Sequence, residues 1–292
     1  MTAQTLSSPT SKAGRLQRAL LDRLQAHDAD GMLPTSGRFL YYELITDGVL
    51  SKTRTGARRT DQDMTDALTH LREIGLVPWD WIIDETRELT AWATSATVAD
   101  FVSGQVRYAS LDRWSGEPAP LILCESRSLA GVLEQTASRY ACPIASTNGQ
   151  ARGFLITKVA PMLKITQRVL YVGDLDHCGN QIEAATRRTL EERSWGRRLA
   201  EETGLAPWER IALTQEQVDE FNLPVISKAD RRYRPPRYFD AVETEALGQA
   251  RIVRLLTARL DELMPEPIED VLERQAVQQR IVAEQLRALE LG

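Results

Sequence analysis

The chain holds only three cysteines, Cys124, Cys142 and Cys178, among 292 residues. An odd number without paired spacing argues against a disulfide framework or a zinc site, and for a reducing cytoplasm. No apolar run approaches the roughly 20 residues of a membrane span, so the chain is not expected to cross or anchor in a bilayer. The start, Met1 to Lys12, is small and polar, lacks the apolar centre of a signal peptide and reads as a disordered leader (1–12). No low-complexity tract and no internal repeat is present. Neither a P-loop nor a Gly-x-Gly-x-x-Gly stretch occurs, which argues against an internal ATPase and a dinucleotide enzyme.

What is present is enough chain for a substantial core and two domains. The net charge of −5 does not by itself announce a nucleic-acid binder. Its distribution says more. Ser51 to Arg59 carries Lys52, Arg54, Arg58 and Arg59 with no acid. Ser227 to Tyr238 carries Lys228, Arg231, Arg232, Arg234 and Arg237 against Asp230 alone, interleaved with Tyr233 and Tyr238. Local basic clusters on a mildly acidic chain suit a polyanion-binding face. Taken singly, each run also reads as a solvated loop.

Leu16, Leu20, Leu21 and Leu24 recur at helical spacing from Gly14 to Ala26. Thr35 or Ser36 can cap a second helix that Asp47-Gly48 ends, and Met64, Leu68, Leu71 and Ile74 mark a third, stopped at Gly75. With the extended segment from Leu76 to Ile83, these make residues 13–96 a winged-helix-like DNA-binding domain, in which the third helix enters the major groove. A small helical protein-interaction module has the same composition. Thr97 to Trp114 reads as a connecting helix, and Ser115-Gly116-Glu117-Pro118-Ala119-Pro120 as the domain linker (97–118).

Beyond the linker, short buried strands alternate with helices: Pro120–Cys124, Pro143–Ser146, the run from Arg168 to Val172, and Trp208–Leu213. This predicts an α/β parallel sheet with right-handed crossovers over 119–264, and an α+β chain overall. The basic, proline-containing segment to Tyr238 is expected to be a surface loop, Val242 to Leu263 a helix, and 265–292 a C-terminal amphipathic helix.

The third strand is the pivot. It ends in Gly173-Asp174-Leu175-Asp176-His177-Cys178-Gly179, two carboxylates spaced i, i+2 before a helical pattern. Glu125 follows the first strand in the same way. Acids at the carboxyl ends of parallel strands lie where open α/β sheets bind ligands. Two acids so close repel unless a proton or cation intervenes, and hard divalent cations take such oxygen ligands. The alternative for the pair is one capping and one solvated aspartate.

Leu123-Cys124-Glu125-Ser126 together with Val172 to Gly179 resembles the TOPRIM domain of topoisomerases, primases and OLD-type nucleases. The resemblance implies Mg2+, with Mn2+ as substitute, held by Glu125, Asp174 and Asp176, and acid/base work for Glu125. A winged helix before such a domain is similar to the topoisomerase VI A subunit and the meiotic double-strand-break transesterases. Ser36-Gly37-Arg38-Phe39-Leu40-Tyr41-Tyr42 is similar to their nucleophile motif, which implies attack on DNA by Tyr42, with Arg38 favouring its phenolate. In that family the tyrosine meets the acids of a second protomer, which implies a homodimer, and strand passage needs an ATPase partner subunit. Phe39 stands where an acid is common, and His177 and Cys178 replace the usual Pro and its neighbour. Arg127 and Arg152 follow strand ends and can hold a scissile phosphate. Asp219 to Pro224 and Val242-Glu243-Thr244-Glu245-Ala246-Leu247 are similar to stretches of small stand-alone bacterial and phage relatives. The expected function is thus Mg-dependent cleavage or remodelling of DNA, by tyrosine transesterification or by metal-activated water as in related TOPRIM nucleases, in the cytoplasm at the nucleoid. The alternative is a non-catalytic DNA-binding or assembly subunit that keeps the fold as a scaffold.

Overall fold

The structure is a computed structural model that describes residues 5–51, 59–83, 94–149, 151–164, 167–192, 208–230 and 233–290. The basic residues Lys52, Arg54, Arg58, Arg231 and Arg232 lie outside the described residues.

Three helices build the amino-terminal part: α1 (Lys12–Ala29), α2 (Gly37–Thr46) and α3 (Thr60–Glu73). Their leucine spacing turns one stripe of each inward, so that Leu16, Leu20, Leu24, Leu40, Leu44, Met64, Leu68 and Leu71 share one buried cluster. Ser36 starts α2, its hydroxyl accepting from the Phe39 amide. Gly48 and Gly75, both at positive φ, follow the ends of α2 and α3, where a side chain would strain. Residues 5–11 depart from the expected disordered leader. Leu6 packs on the helical cluster and the Ser7 amide donates to Gln17 Oε1 at 2.9 Å. A Cβ on Gly14 would stand 2.0 Å from the Ser8 carbonyl, so the segment crosses α1 closely. Two parallel two-residue strands, β1 (Thr35–Ser36) and β2 (Ile82–Ile83), complete this part.

The connecting helix α4 (Val98–Gln105) runs into a 3-10 turn, Val106–Tyr108, and is shorter than its apolar pattern suggests. Asp112 is the reason: its carboxylate accepts from the amides of Trp114 and Gly116, folding the chain into a turn where helix was expected.

The parallel sheet consists of β3 (Leu121–Cys124), β4 (Ile144–Ser146), β5 (Val169–Val172) and β7 (Trp208–Ala212), in the order β4-β3-β5-β7; β6 (Leu175–Asp176) belongs elsewhere. Alternation along the strands divides their side chains between two cores. Ile122, Cys124, Leu170 and Val172 face α5 (Arg127–Arg139), the short α8 (Gln215–Glu220) and α9 (Gln249–Leu263). Leu121, Leu123, Val169 and Tyr171 face the other side. There α6 (Arg152–Phe154), which continues through a π turn and a 3-10 turn to Met162, packs beside the end of α7 (His177–Leu190). Burial on both faces is why β3 and β5 read as unbroken apolar runs.

A second, antiparallel sheet has the order β6-β9-β8, with β8 (Ile226–Asp230) and β9 (Arg237–Val242). This corrects two expectations. The basic segment is a hairpin rather than a surface loop, and the stretch from Val242 is strand end and 3-10 turn (Thr244–Leu247) before α9 begins at Gln249. Polar outward positions and two prolines hid the period-2 pattern of β8 and β9. Opposed pairs such as Asp230 and Arg237 hold the register. The last helix, α10 (Ile268–Glu290), buries Ile268 and Val271. All three cysteines are free. Among the described residues no helix is long and apolar enough to cross a membrane.

Candidate functional site

The strand order fixes where ligands would meet the sheet. From β3 the chain goes to one neighbour and from β5 to the other, so a crevice opens between their carboxyl ends. Glu125 stands directly after β3, and Gly173-Asp174 directly after β5. Gly173 is required here: a Cβ would come 2.7 Å from Tyr171 Oη and 2.9 Å from Glu125 Oε2. Gly179 is pressed similarly, 2.7 Å from the Asp174 carbonyl.

Glu125 turns toward the aspartates. Its Oε2 accepts from the Asp174 amide at 3.0 Å. Burial and the nearby Asp174 charge push its carboxyl up to about 7. Asp174 is 7% exposed, and its Oδ1 accepts from both the amide and the hydroxyl of Thr244, each at 2.9 Å. Burial and then the Glu243 charge raise its carboxyl above the usual range. Asp176 has a different task. Its Oδ1 caps α7, accepting from the Gly179 amide at 2.6 Å, while its Oδ2 receives Lys228 Nζ at 2.6 Å.

The hairpin brings two acids without an assigned role at sequence level. Because β6 pairs with β9, Leu175 opposite Val242, the chain after β9 passes beside Asp174. Oxygens of Asp174, Glu243 and Glu245 lie within 4.8 Å of one another, all three side chains buried. Glu243 and Glu245 repeat the i, i+2 acid spacing of Asp174 and Asp176 just past a strand end. That signal was legible, but only once the segment was known to be a strand. Glu245 is fully buried, and burial above all pushes its carboxyl up to about 7.

Two cations serve the cluster. Lys228 on β8 reaches Glu243 Oε1 at 3.0 Å and Asp174 Oδ2 at 3.8 Å besides Asp176. Burial works against its charge, yet the bonds to Asp176 and Glu243 leave its amine raised. Arg38 reaches Glu243 Oε2 at 3.0 Å and Glu245 Oε1 at 2.5 Å. Five carboxylates (Glu125, Asp174, Asp176, Glu243, Glu245) thus face two cations among the described residues. Burial is the main reason that Glu125, Asp174 and Glu245 hold their protons above the usual carboxylate range, and the neighbouring acids add to it. Glu245 Oε2 is buried with no hydrogen-bond partner. An all-oxygen donor set with excess charge and an orphaned carboxylate oxygen fits a hard divalent cation.

Helix α2 lies against the Thr244–Leu247 turn and carries Arg38 and Tyr42 one turn apart on one face. The Arg38 guanidinium lies 5.7 Å from the Tyr42 ring centre. Burial and the Glu243 charge, helped by a hydrogen bond to Glu243, hold the Tyr42 phenol strongly protonated, against the opposing pull of Arg38. The acids beside Tyr42 therefore belong to its own chain. A cleft of about 570 Å3 between α2 and α3, lined by Arg38, Tyr41, Tyr42, Arg59 and Met64, opens onto this edge. Tyr41, by contrast, is tied down, its hydroxyl 2.9 Å from Thr60 Oγ1.

The remaining expected residues are dispersed. Arg59 is exposed and pairs with Asp61 beside it, and Arg127 and Arg152 are exposed at the first positions of α5 and α6. One further residue escaped the sequence reading. Arg210 on β7 donates to the carbonyls of Gly173, Asp174 and Leu213 at 3.0, 3.3 and 2.8 Å, and its charge is met by Glu183 at 2.6 Å. It fastens the turn that presents Asp174. Comparison of the chain with protein-family models, with curated proteins and with solved structures found no match.

Proposed function

We propose that the chain is a divalent-metal-dependent enzyme acting on DNA phosphodiesters, built as a winged-helix-like helical unit on a TOPRIM-like sheet. One observation carries the reading: carboxylates from three separate stretches converge with a phenol and a guanidinium at the switch point of a parallel sheet. Asp174, Glu243 and Glu245 would hold Mg2+ or Mn2+, which when bound supplies charge neutralisation at the non-bridging phosphate oxygens. The chain's own groups divide the remaining work. Arg38 and Lys228 fix the carboxylates and offer positive charge to the phosphate. Glu125, whose proton is held up to about 7 without metal by burial and the Asp174 charge, is the group placed to donate a proton. In transesterification, Tyr42 Oη forms the new bond to phosphorus and the ester bond to the leaving strand breaks. The phenolic proton passes to Glu243, and the leaving oxygen takes a proton from Glu125 or water. In hydrolysis a water takes the place of Tyr42. The phenol, the guanidinium and the acids named here all lie in one chain.

The test is incubation with supercoiled plasmid and Mg2+ or Mn2+, quenched with detergent, with and without protease. Nicks or breaks that Asp174→Asn and Glu245→Gln abolish are expected. A protease-sensitive adduct lost in Tyr42→Phe identifies transesterification, and cleavage that persists in Tyr42→Phe identifies hydrolysis. A second reading, a non-catalytic scaffold, is favoured by the ion pairs of Lys228 and Arg38, which partly neutralise the acids internally. It predicts no cleavage and no Mg2+-dependent stabilisation.

A further inference from the structure

The face of the hairpin next to the acidic cluster carries a row of rings that the chemistry above does not use. Phe239 on β9 stands opposite Lys228 on β8, so the two side chains leave the sheet on the same side. Lys228 reaches Asp176, and the next residue, His177, stacks its ring on Phe239 at 4.2 Å and 10°. Tyr233 follows at 6.1 Å from Phe239, tilted by 49°, and the Arg237 guanidinium lies 4.6 Å over the Tyr233 ring. The row therefore runs from the acids toward the hairpin tip, with a cation at each end.

These rings do not behave as core. His177, Phe239 and Tyr233 are half-buried, and none of them belongs to a buried cluster among the described residues. Arg237 is exposed, and Tyr238 on the opposite face is 70% exposed. A fold that only needed to pin the hairpin to α7 would gain more by burying these rings. Half-exposed rings, already stacked on one another and interleaved with basic side chains, suit a polyanion that carries flat rings and can extend the stack, a strand of nucleic acid with its bases unpaired. Each base stacked on such a side chain contributes about 1–3 kcal/mol, whereas bases inside a duplex present no free face.

We propose that His177, Phe239 and Tyr233 form a stacking platform for unpaired bases of a nucleic-acid strand whose phosphate lies at the acidic cluster. This rests on the proposed function for the phosphate's position and adds a substrate class: single-stranded or locally opened DNA. Arg237 and Lys228 flank the platform at backbone reach.

The experiment compares fluorescence anisotropy of a single strand of about 12 nucleotides with that of the matching duplex, using the full chain with Ca2+ in place of Mg2+ so that a hard cation can occupy the acids. The wild type is expected to prefer the single strand. Phe239→Leu and Tyr233→Leu, which keep apolar bulk, are each expected to weaken single-strand binding about tenfold and leave duplex binding unchanged. Thermal melts of both variants show whether the hairpin survives. Independently of any variant, 2-aminopurine in the single strand is expected to lose emission on binding the wild type as it stacks. Equal affinity for both DNA forms, or an unquenched probe, overturns the platform. Plasmid cleavage without single-strand preference sinks this inference alone, and single-strand preference without cleavage sinks only the enzymatic reading.

Discussion

Replacing Lys228 by methionine tests how the acidic cluster is balanced. The ammonium lies 2.6 Å from Asp176, 3.0 Å from Glu243 and 3.8 Å from Asp174. Methionine keeps the length and apolar packing of the stem while removing the charge. Without metal the carboxylates lose a partner. A hydrogen bond to a charged group contributes about 1.5–3 kcal/mol. The side chain is 37% exposed, so solvent screening reduces this to roughly 1 kcal/mol net. At a few degrees per kcal/mol for a chain of this size, Tm in chelator should fall by about 3 °C. With metal the sign should reverse, because a divalent ion held by Asp174 and Glu243 would compete with the ammonium for those carboxylates. Two unit charges about 4 Å apart interact by about 4 kcal/mol near a protein surface, and a divalent ion doubles this. Exposure and the freedom of the amine to swing outward leave a penalty of about 2 kcal/mol, or roughly 30-fold in affinity. Melting curves over a Mn2+ titration, backed by calorimetry, should therefore cross: the variant starts lower and gains more. If Lys228→Met gains no more than the wild type from Mn2+, no cation is held at Asp174 and Glu243, and the reasoning fails.

Glu125 and Glu245 hold their protons to about 7 in the fold, whereas the unfolded chain loses them near 4.5. The native state thus binds more protons between those values, and metal-free stability should fall as pH rises from about 4.5 to about 7. Glu245→Gln should flatten that decline in melts run in chelator; an unchanged slope would count against the buried cluster. Where Tyr42→Phe and Asp174→Asn are each inactive alone, mixing the two proteins should still leave plasmid uncut, since the phenol and the acids lie together within one chain; cleavage restored only in the mixture would show that partners cross. Arg210→Lys should cost about 2 kcal/mol in denaturant unfolding, because a single ammonium cannot serve the carbonyls of Gly173, Asp174 and Leu213 together with Glu183. It should also reduce the Mn2+-induced rise in Tm, whereas a variant as metal-responsive as the wild type would mean that the Asp174 turn holds itself.

The parts of this chain that its sequence determined are those governed by near neighbours. Unbroken apolar runs made β3 and β5 legible, because a strand covered on both faces has no polar side to show. Ser36, Gly48 and Gly75 placed the ends of α2 and α3, because caps and positive-φ positions act within one turn. Glu125, Asp174 and Asp176 were found at strand ends for the same local reason.

Which acids actually meet was a matter for the tertiary structure alone. The contact of Arg38 with Glu243 spans 205 residues and that of Lys228 with Asp176 spans 52. No local pattern distinguishes a lysine that neutralises a buried aspartate from one that waits for phosphate. Pairing of β6 with β9 settled it by carrying Glu243 and Glu245 past Asp174 and turning Lys228 inward. Asp176 was left to cap α7. Propensity and periodicity reach across a turn or a strand; the balance of charge among buried acids depends on everything that folds around them.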